Sequence, residues 1–322
     1  MQNSTICISH SEDADGLICA SFMVRLKGAS IILVSYDDLE KTIKRINPPL
    51  DELYICDVNI REELFERVRR IADFAKVTIA DHHPTARDVL ASLGEVGVEV
   101  LYDPSECASI LLFNHFREEL GREGARLAAY AAISDQFEDG PISSKVLTMF
   151  DRHFVQQESL MLTHALSWRT TRGFRRSVID ELSVYTFPHR IRGVSRAAFE
   201  ELESMSKLIE SLPVRSTRIG RLAYVEFVED SSLGTIAGLI LDAIDVDIGV
   251  SFRRVGKGLA NVSVRARRGL RPHMGEVTKE LAAKYGGFGG GHSRASGASI
   301  PESSLEGFIN GLVGELEKRG QP

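Results

Sequence analysis

Five short, β-branched apolar runs crowd the first 102 residues: Thr5–His10, Ser30–Tyr36, Leu53–Val58, Val77–Ala80 and Val98–Tyr102. Helix-like stretches lie between several of them, for example Gly16–Lys27 and Arg61–Ala75. In the second stretch Leu64, Val68, Ile71 and Ala75 recur at three and four residues and make one apolar face. The strand-like runs are apolar almost throughout, so both faces of their sheet must be covered. Together these patterns predict an α/β unit, a parallel sheet with helices on both faces. From about Ser109 the chain reads as helical through Ser183, most clearly over Leu111–Leu120 and Ala125–Ile133. Tyr185–Ser195 carries a proline and a glycine and breaks that pattern. The expected division is a first domain over 1–185, a linker or helix over 186–212, and a smaller α/β domain over 213–322. In the last, strands are expected at Leu222–Val228, Ile248–Arg253 and Ala260–Val264. Helices are expected at Thr235–Ala243, Met274–Lys284 and Ser303–Lys318, with Ser232 and Ser303 at N-cap positions.

A chain of 322 residues, 43% of them hydrophobic, can bury a substantial core. No window approaches eighteen uninterrupted apolar residues, and the first residues lack the basic start and apolar middle of a signal peptide, so a cytoplasmic location without membrane contact is expected. Cys7, Cys19, Cys56 and Cys107 are scattered, with no CxxC pair, and read as small hydrophobes in a reducing compartment. The net charge of −6 is uneven. Residues 214–322 hold 15 Lys and Arg against 12 Asp and Glu, which leaves 24 against 33 in the remainder. That is not the uniformly basic surface of a protein that binds along a duplex.

Three of the strand-like runs end in groups that carry chemistry. Thr5–Ser9 runs into His10-Ser11-Glu12-Asp13-Ala14-Asp15-Gly16, Leu53–Cys56 into Asp57, and Val77–Ala80 into Asp81-His82-His83. In an open parallel sheet the carboxyl ends of the strands share one edge, and ligands bind there. Each cluster alone fits a helix cap, a turn or a surface histidine; their coincidence at successive strand ends favours a common site. Four or more carboxylates crowded together repel unless something positive lies among them. Carboxylate with some imidazole and no thiolate suits Mn²⁺ or Mg²⁺ more than a structural zinc, and ligands numerous enough for two ions suggest a two-metal site. A two-ion site acidifies a bound water and clamps both oxygens of a phosphoryl displacement.

These segments resemble the DHH-family phosphoesterases, named for the triplet that stands here as Asp81-His82-His83. The resemblance also takes in His10–Gly16, Asp57 and Ile133–Phe137, and Gly289–Gly297 (GGGHSRASG) looks like the signature of the DHH-associated C-terminal domain. It implies two metal sites: His10, Asp13 and Asp57 for one ion, and Asp15, Asp57, His82 and Asp135 for the other. Asp81 would orient the histidines and His83 would meet the substrate phosphate or protonate the leaving group. Two departures stand out. His10 precedes Asp13 by three residues, where many members have four, and RecJ-like members often carry aspartate in place of this histidine. Asp139 is a rival to Asp135, although ISD after an apolar helix matches the family better.

The glycine cluster Gly286–His292 reads as a loop between helix and strand whose amides can meet an anion. The resemblance assigns Gly289, Gly290, Gly291 and His292 to substrate binding, with Arg265 of Ser263-Val264-Arg265 on phosphate. Seven arginines fall between Arg169 and Arg196, interleaved with Trp168, Phe174, Tyr185 and Phe187. They read either as a solvated face or as the border of a nucleic-acid strand. The implied function is an Mn²⁺-dependent phosphoesterase acting on short single-stranded oligonucleotides or nucleotides, nanoRNase-like, with pAp phosphatase activity as an extension. RecJ-like exonuclease, cyclic-dinucleotide phosphodiesterase and a catalytically weak replication-associated scaffold stay open, as does assembly into a homodimer.

Overall fold

The apolar runs of the first half pair side by side as β1 (Thr5–His10), β2 (Ser30–Val34), β3 (Glu52–Cys56), β4 (Lys76–Asp81) and β5 (Glu99–Tyr102). The computed structural model describes residues 4–35, 38–83, 86–168, 171–228, 232–271 and 273–319. Tyr36, expected in the second strand, lies outside the described residues, as do Pro84 and Thr85 after the histidine pair and Arg169 of the arginine-rich stretch. All five strands are parallel, in the order β2-β1-β3-β4-β5. The chain leaves β1 for one edge, returns past it to β3, and then runs to the other edge. The order therefore reverses between β1 and β3, the place where open α/β sheets form a crevice.

Crossover helices make this geometry possible, because parallel strands cannot be joined by a tight turn. They are α1 (Ala14–Lys27), α2 (Leu39–Ile43), α3 (Phe65–Ala72) and α4 (Arg87–Glu95). The later helices are α5 (Ala108–His115), α6 (Arg117–Ser134), α7 (Ser143–Leu147), α8 (Arg152–Ser167), α9 (Arg172–Ser183) and α10 (Val194–Arg215). One sheet face, with Cys7, Tyr54 and Ala80, packs on Leu17, Phe22, Leu112 and Ala128. The other, with Ile8, Ile55 and Ile79, packs on Ile43, Val68 and Leu90. Both faces are thus covered, as the continuous apolar runs require. All four cysteines are buried and free.

Two compact units result, Met1–Leu202 and Glu203–Pro322, dividing within α10. The stretch expected as a linker does not stand apart at its start: Ile191, Val194 and Ala198 are buried in the core of the first unit. Their three- and four-residue spacing gives an apolar stripe that the proline and glycine before it had masked. The helix expected over Arg61–Ala75 is a 3₁₀ turn, Glu62–Leu64, followed by the shorter α3. Among the described residues no helix is long and apolar enough to cross a membrane.

The second unit is a mixed sheet in the order β10-β11-β9-β8-β7-β6. Its elements are β6 (Thr217–Ile219), β7 (Leu222–Glu226), α11 (Leu233–Ile244), β8 (Ile248–Gly256), β9 (Leu259–Ala266), α12 (Met274–Lys284), β10 (Phe288–Gly291), β11 (Ala295–Pro301) and α13 (Leu305–Arg319). Only β7 and β8 are parallel, and α11 joins them as a crossover. Leu281, Phe308 and Leu312 of α12 and α13 fill one face; Ile236 and Ile240 of α11, with Leu208 and Leu212 of α10, fill the other. Ser232 stands at the N-cap of α11 without a side-chain capping hydrogen bond among the described residues. Ser303 lies in a 3₁₀ turn, Glu302–Ser304, ahead of α13.

The glycine cluster expected as a loop is largely the edge strand β10, paired antiparallel with β11. Its composition follows from packing. Helix α12 runs so close to this edge that a Cβ on Gly275 would collide with the carbonyl of Gly291. Gly275→Ala is expected to lower stability by about 1–3 kcal/mol by pushing α12 off the sheet. A urea titration would show a lower midpoint with an unchanged slope. Gly314→Ala on α13, where an added methyl meets open space, should leave the midpoint unchanged or raise it slightly.

Candidate active site

The edge of the first sheet at the β1/β3 reversal gathers the polar groups of four segments. His10 is the last residue of β1, Asp57 follows β3, and Asp81 ends β4 ahead of His82 and His83. Helix α1 starts almost immediately after β1, which brings Asp13 and Asp15 back over the strand end. The turn is so tight that a Cβ on Gly16 would collide with the carbonyl of His10. Asp13 is the N-cap of α1 and accepts from the Gly16 amide at 3.0 Å. Asp135 stands at the C-terminal end of α6. Asp139, the sequence rival, is exposed.

Potential ligand atoms form three groups, each within 4.8 Å of one another: His10, Asp13 and Asp57; Asp15, Asp57, His82 and Asp135; and Asp57, Asp81, His82 and His83. Asp57 belongs to all three. Its backbone has φ of 56°, a left-handed conformation that aspartate tolerates better than most residues. The Asp57 amide donates to the Ala80 carbonyl at 2.9 Å, so the turn is pinned to β4.

The surroundings of each carboxylate differ. Asp15 is buried and accepts from the amides of Ala108 and Ser109, both at 2.8 Å, at the start of α5. This partner is invisible in sequence, because it is backbone with no residue signature; only the helix start after Cys107 hints at it. His10 Nδ1 and Asp13 Oδ2 are 2.6 Å apart, and His10 Nδ1 lies 3.6 Å from Asp57 Oδ2. Asp81 is fully buried and meets His83 Nδ1 at 2.7 Å, which fixes the ring of His83. His82 stacks on His83 with ring centroids 4.5 Å apart, and Phe137 sets its edge against His82 at 4.8 Å. Phe137 has no role in the sequence reading beyond standing in ISDQF.

Charge follows from these contacts. Burial, then Asp13, Asp15 and Asp135, hold the Asp57 carboxyl well above its ordinary range. Burial, then Asp13 and Asp15, push Asp135 the same way. Asp15 is also raised, chiefly by burial and despite the hydrogen bonds it accepts from Ser109 and Ala108. Burial, the largest single influence, opposes the charged forms of His10 and Asp13, but their mutual hydrogen bond and charge attraction together outweigh it, so His10 is raised and Asp13 lowered. Among the described residues, Asp57 Oδ2 and Asp81 Oδ2 are buried and accept no hydrogen bond. A buried cluster of carboxylates and imidazoles with spare acceptor atoms and no thiolate ligand fits hard divalent cations.

In the second unit Arg265 lies on β9, paired with Ala295 of β11 and Gly249 of β8. Gly290 of β10 pairs with Gly297, which in turn pairs with Ser263. Arg265 and the glycines therefore share three neighbouring strands, with His292 directly after β10. The Arg265 guanidinium lies against Gly234 near the start of α11 and donates to the Val264 carbonyl at 3.1 Å. Among the described residues no carboxylate pairs with it, and burial lowers its pKa. His273 caps α12, accepting from the Glu276 amide at 3.3 Å.

No curated protein matches the chain in sequence. Residues 221–318 match the DHHA1 domain family. Over its whole length the chain has the fold of DHH-domain structures. A DHH-domain protein described as a member of the S1p family of ribosomal proteins superposes with a TM-score of 0.71 at 18% identity, covering 98% of this chain and 87% of that one. The pGpG-specific phosphodiesterase PggH of Vibrio cholerae gives 0.60 at 14% identity, covering 98% and 99%. RecJ of Thermus thermophilus, in complex with Mn²⁺, gives 0.64 at 16% identity, covering 98% of this chain and 52% of that one.

The raised Asp57 carboxyl gives a stability prediction. An acid whose folded pKa lies above its unfolded value stabilises the fold at low pH and loses that contribution as pH rises through the folded value. In EDTA, Asp57→Asn should therefore melt higher than wild type, by a margin that grows as pH rises above about 4. Added Mn²⁺ should raise the melting temperature of wild type but not of the variant. Differential scanning calorimetry across pH, with and without Mn²⁺, reads both effects.

Proposed function

We propose that this chain, a DHHA1 domain behind a unit with the DHH fold, is a metal-dependent phosphodiesterase that hydrolyses short linear oligonucleotides. The observation that carries the reading is the convergence of His10, Asp13, Asp15, Asp57, His82 and Asp135 on overlapping ligand groups that share Asp57. Two divalent ions, Mn²⁺ by preference, would be held by His10, Asp13 and Asp57, and by Asp15, Asp57, His82 and Asp135. Bound there, they would supply an acidified water and a clamp on the phosphoryl oxygens.

The chain's own groups account for the rest. The Ala108 and Ser109 amides hold Asp15, so that ligand is placed before any ion arrives. Asp81 holds His83 by its Nδ1. A carboxylate on Nδ1 favours the proton there and leaves Nε2 to meet the phosphate or, when charged, to protonate the leaving oxygen. Arg265 offers a fork to a phosphate or carboxylate, and its lack of an acidic partner among the described residues leaves that fork available. This chain covers nearly all of PggH, which is described as a pGpG-specific phosphodiesterase, and that likeness favours small linear substrates. The RecJ likeness supports single-strand exonuclease activity as the second reading.

The experiment is a hydrolysis assay with Mn²⁺ across pAp, linear and cyclic dinucleotides, and single strands from two to about twenty nucleotides, a range that separates an end-anchored pocket from a strand-tracking groove. Linear oligonucleotides at the short end are expected to turn over fastest. Asp57→Ala and His82→Ala should abolish turnover and Mn²⁺ binding together; full Mn²⁺-dependent activity in both would overturn the proposal. His83→Ala should keep the metal and lose about 10²–10⁴-fold in kcat, the usual scale of a general acid.

A further inference from the structure

The arginine-rich stretch holds groups packed into the unit and groups that line two pockets. Tyr185 donates to the Leu120 carbonyl at 2.8 Å and lies under Arg25, 4.0 Å from its ring centroid. Phe187 is covered by Arg126 at 4.3 Å and by Arg190 at 5.4 Å. Arg176 pairs with Asp180 at 3.0 Å. Those aromatics and arginines are committed to holding the unit together. Trp168, Phe174, Arg172, Arg175 and Arg196 line two pockets on either side of the first turn of α9.

Arg172 and Arg175 line a pocket of about 220 Å³ together with Ser11, Glu12, Ser35 and Asp38. Ser11 and Glu12 are the residues between His10 and Asp13, so this pocket borders the turn that carries two groups of the carboxylate cluster. Among the described residues neither arginine has an acidic partner, and Arg175 Nε is buried without a hydrogen bond. Asp38, by contrast, is shared with Lys41 at 3.8 Å and Ser35 at 3.4 Å. On the other side of the same turn, Phe174, Trp168 and Arg196 line a cleft of about 460 Å³ with Glu200, whose carboxylate lies 3.8 Å from Arg196 Nε on the exposed rim. The Phe174 ring lies so near Gly193 that a Cβ on the glycine would stand 3.2 Å from it.

We infer that Trp168 and Phe174, with Arg196, form a base-stacking subsite for a single-stranded oligonucleotide whose scissile phosphate lies at the Asp57 cluster, and that Arg172 and Arg175 hold a phosphate of the strand between the two. Cations beside the cluster followed by aromatics one helical turn away are the two components of single-strand binding. Charge agrees: over residues 169–196, seven arginines are offset only by Asp180 and Glu181, in a chain with net charge −6. The inference rests on the proposed phosphodiesterase activity and extends it to substrates longer than a dinucleotide.

Trp168 is the chain's one tryptophan, so its fluorescence reports on this cleft alone. In EDTA, where no hydrolysis occurs, oligothymidylate of about eight nucleotides should quench and shift Trp168 emission, whereas dithymidylate should not. Phe174→Ala should weaken that binding roughly tenfold, the scale of one lost base stack. It should also lower the ratio of octanucleotide to dinucleotide hydrolysis with Mn²⁺ by a similar factor. Where Phe174→Ala fails to fold, Arg196→Ala on the exposed side of the cleft gives the same ratio. Unmoved Trp168 emission with an oligonucleotide that the protein hydrolyses, or an unchanged hydrolysis ratio in the variants, would refute the subsite. Quenching without any dinucleotide hydrolysis would instead sink the phosphodiesterase reading and leave the subsite standing.

Discussion

Burial of like charges at the reversal of the first sheet is the constraint on which the rest of the site depends. Asp15 and Asp57 are essentially inaccessible, and Asp135 stands with Asp57 and His82 in one ligand group. An uncompensated buried charge costs several kcal/mol. The carboxylates cannot relieve that cost by moving apart. β1, β3 and β4 are hydrogen-bonded neighbours, and α1, α5 and α6 are packed against them in one apolar core. A rigid frame leaves only protons or cations to reduce the repulsion, and above the raised carboxyl range protons are gone. Such a frame is suited to a divalent cation, which would relieve the repulsion that the fold itself maintains.

Anchoring divides the labour among these acids. Asp15 commits both oxygens to the α5 amides, and Asp13 commits its oxygens to the Gly16 amide and His10. These side chains are oriented before any ligand binds, which lowers the entropy cost of ligation. At Asp57 it is the backbone that is held instead, through the Ala80 carbonyl and a left-handed φ. Its carboxylate keeps a buried oxygen without a hydrogen bond among the described residues. The residue common to every ligand group is the one whose main chain is fixed and whose side chain stays available.

How much of this could be read from residues alone follows from where the information lies. The strand ends are legible because an apolar run that stops at a carboxylate is a local pattern, and parallel pairing then brings successive ends to one edge. The donors to Asp15 are not legible, since they are backbone amides 93 and 94 residues away. Strands β10 and β11 are not legible either. Phe288–Gly291 and Ala295–Pro301 lack the β-branched alternation that marks a strand, because α12 presses on them and excludes side chains. The join between the units is obscured for a related reason. Gly193 suggests a break, but Ile191, Val194 and Ala198 continue an apolar stripe into the first core.

Arg265 carries the same physics with the opposite sign. Alternation along β9 turns Val262, Val264 and Ala266 into the core shared with α12 and α13, and places Arg265 on the other face against the start of α11. Burial lowers its pKa, yet a guanidinium remains charged at neutral pH. With no acidic partner among the described residues, it is a partly desolvated cation that donates to the Val264 carbonyl. An arginine kept in that state is stabilised by an arriving anion more than one already paired would be, because no existing salt bridge has to break. The carboxylate cluster of the first unit would be stabilised by a cation on the same grounds. Each unit thus carries buried charge that its own fold compensates only in part, negative in the first and positive in the second.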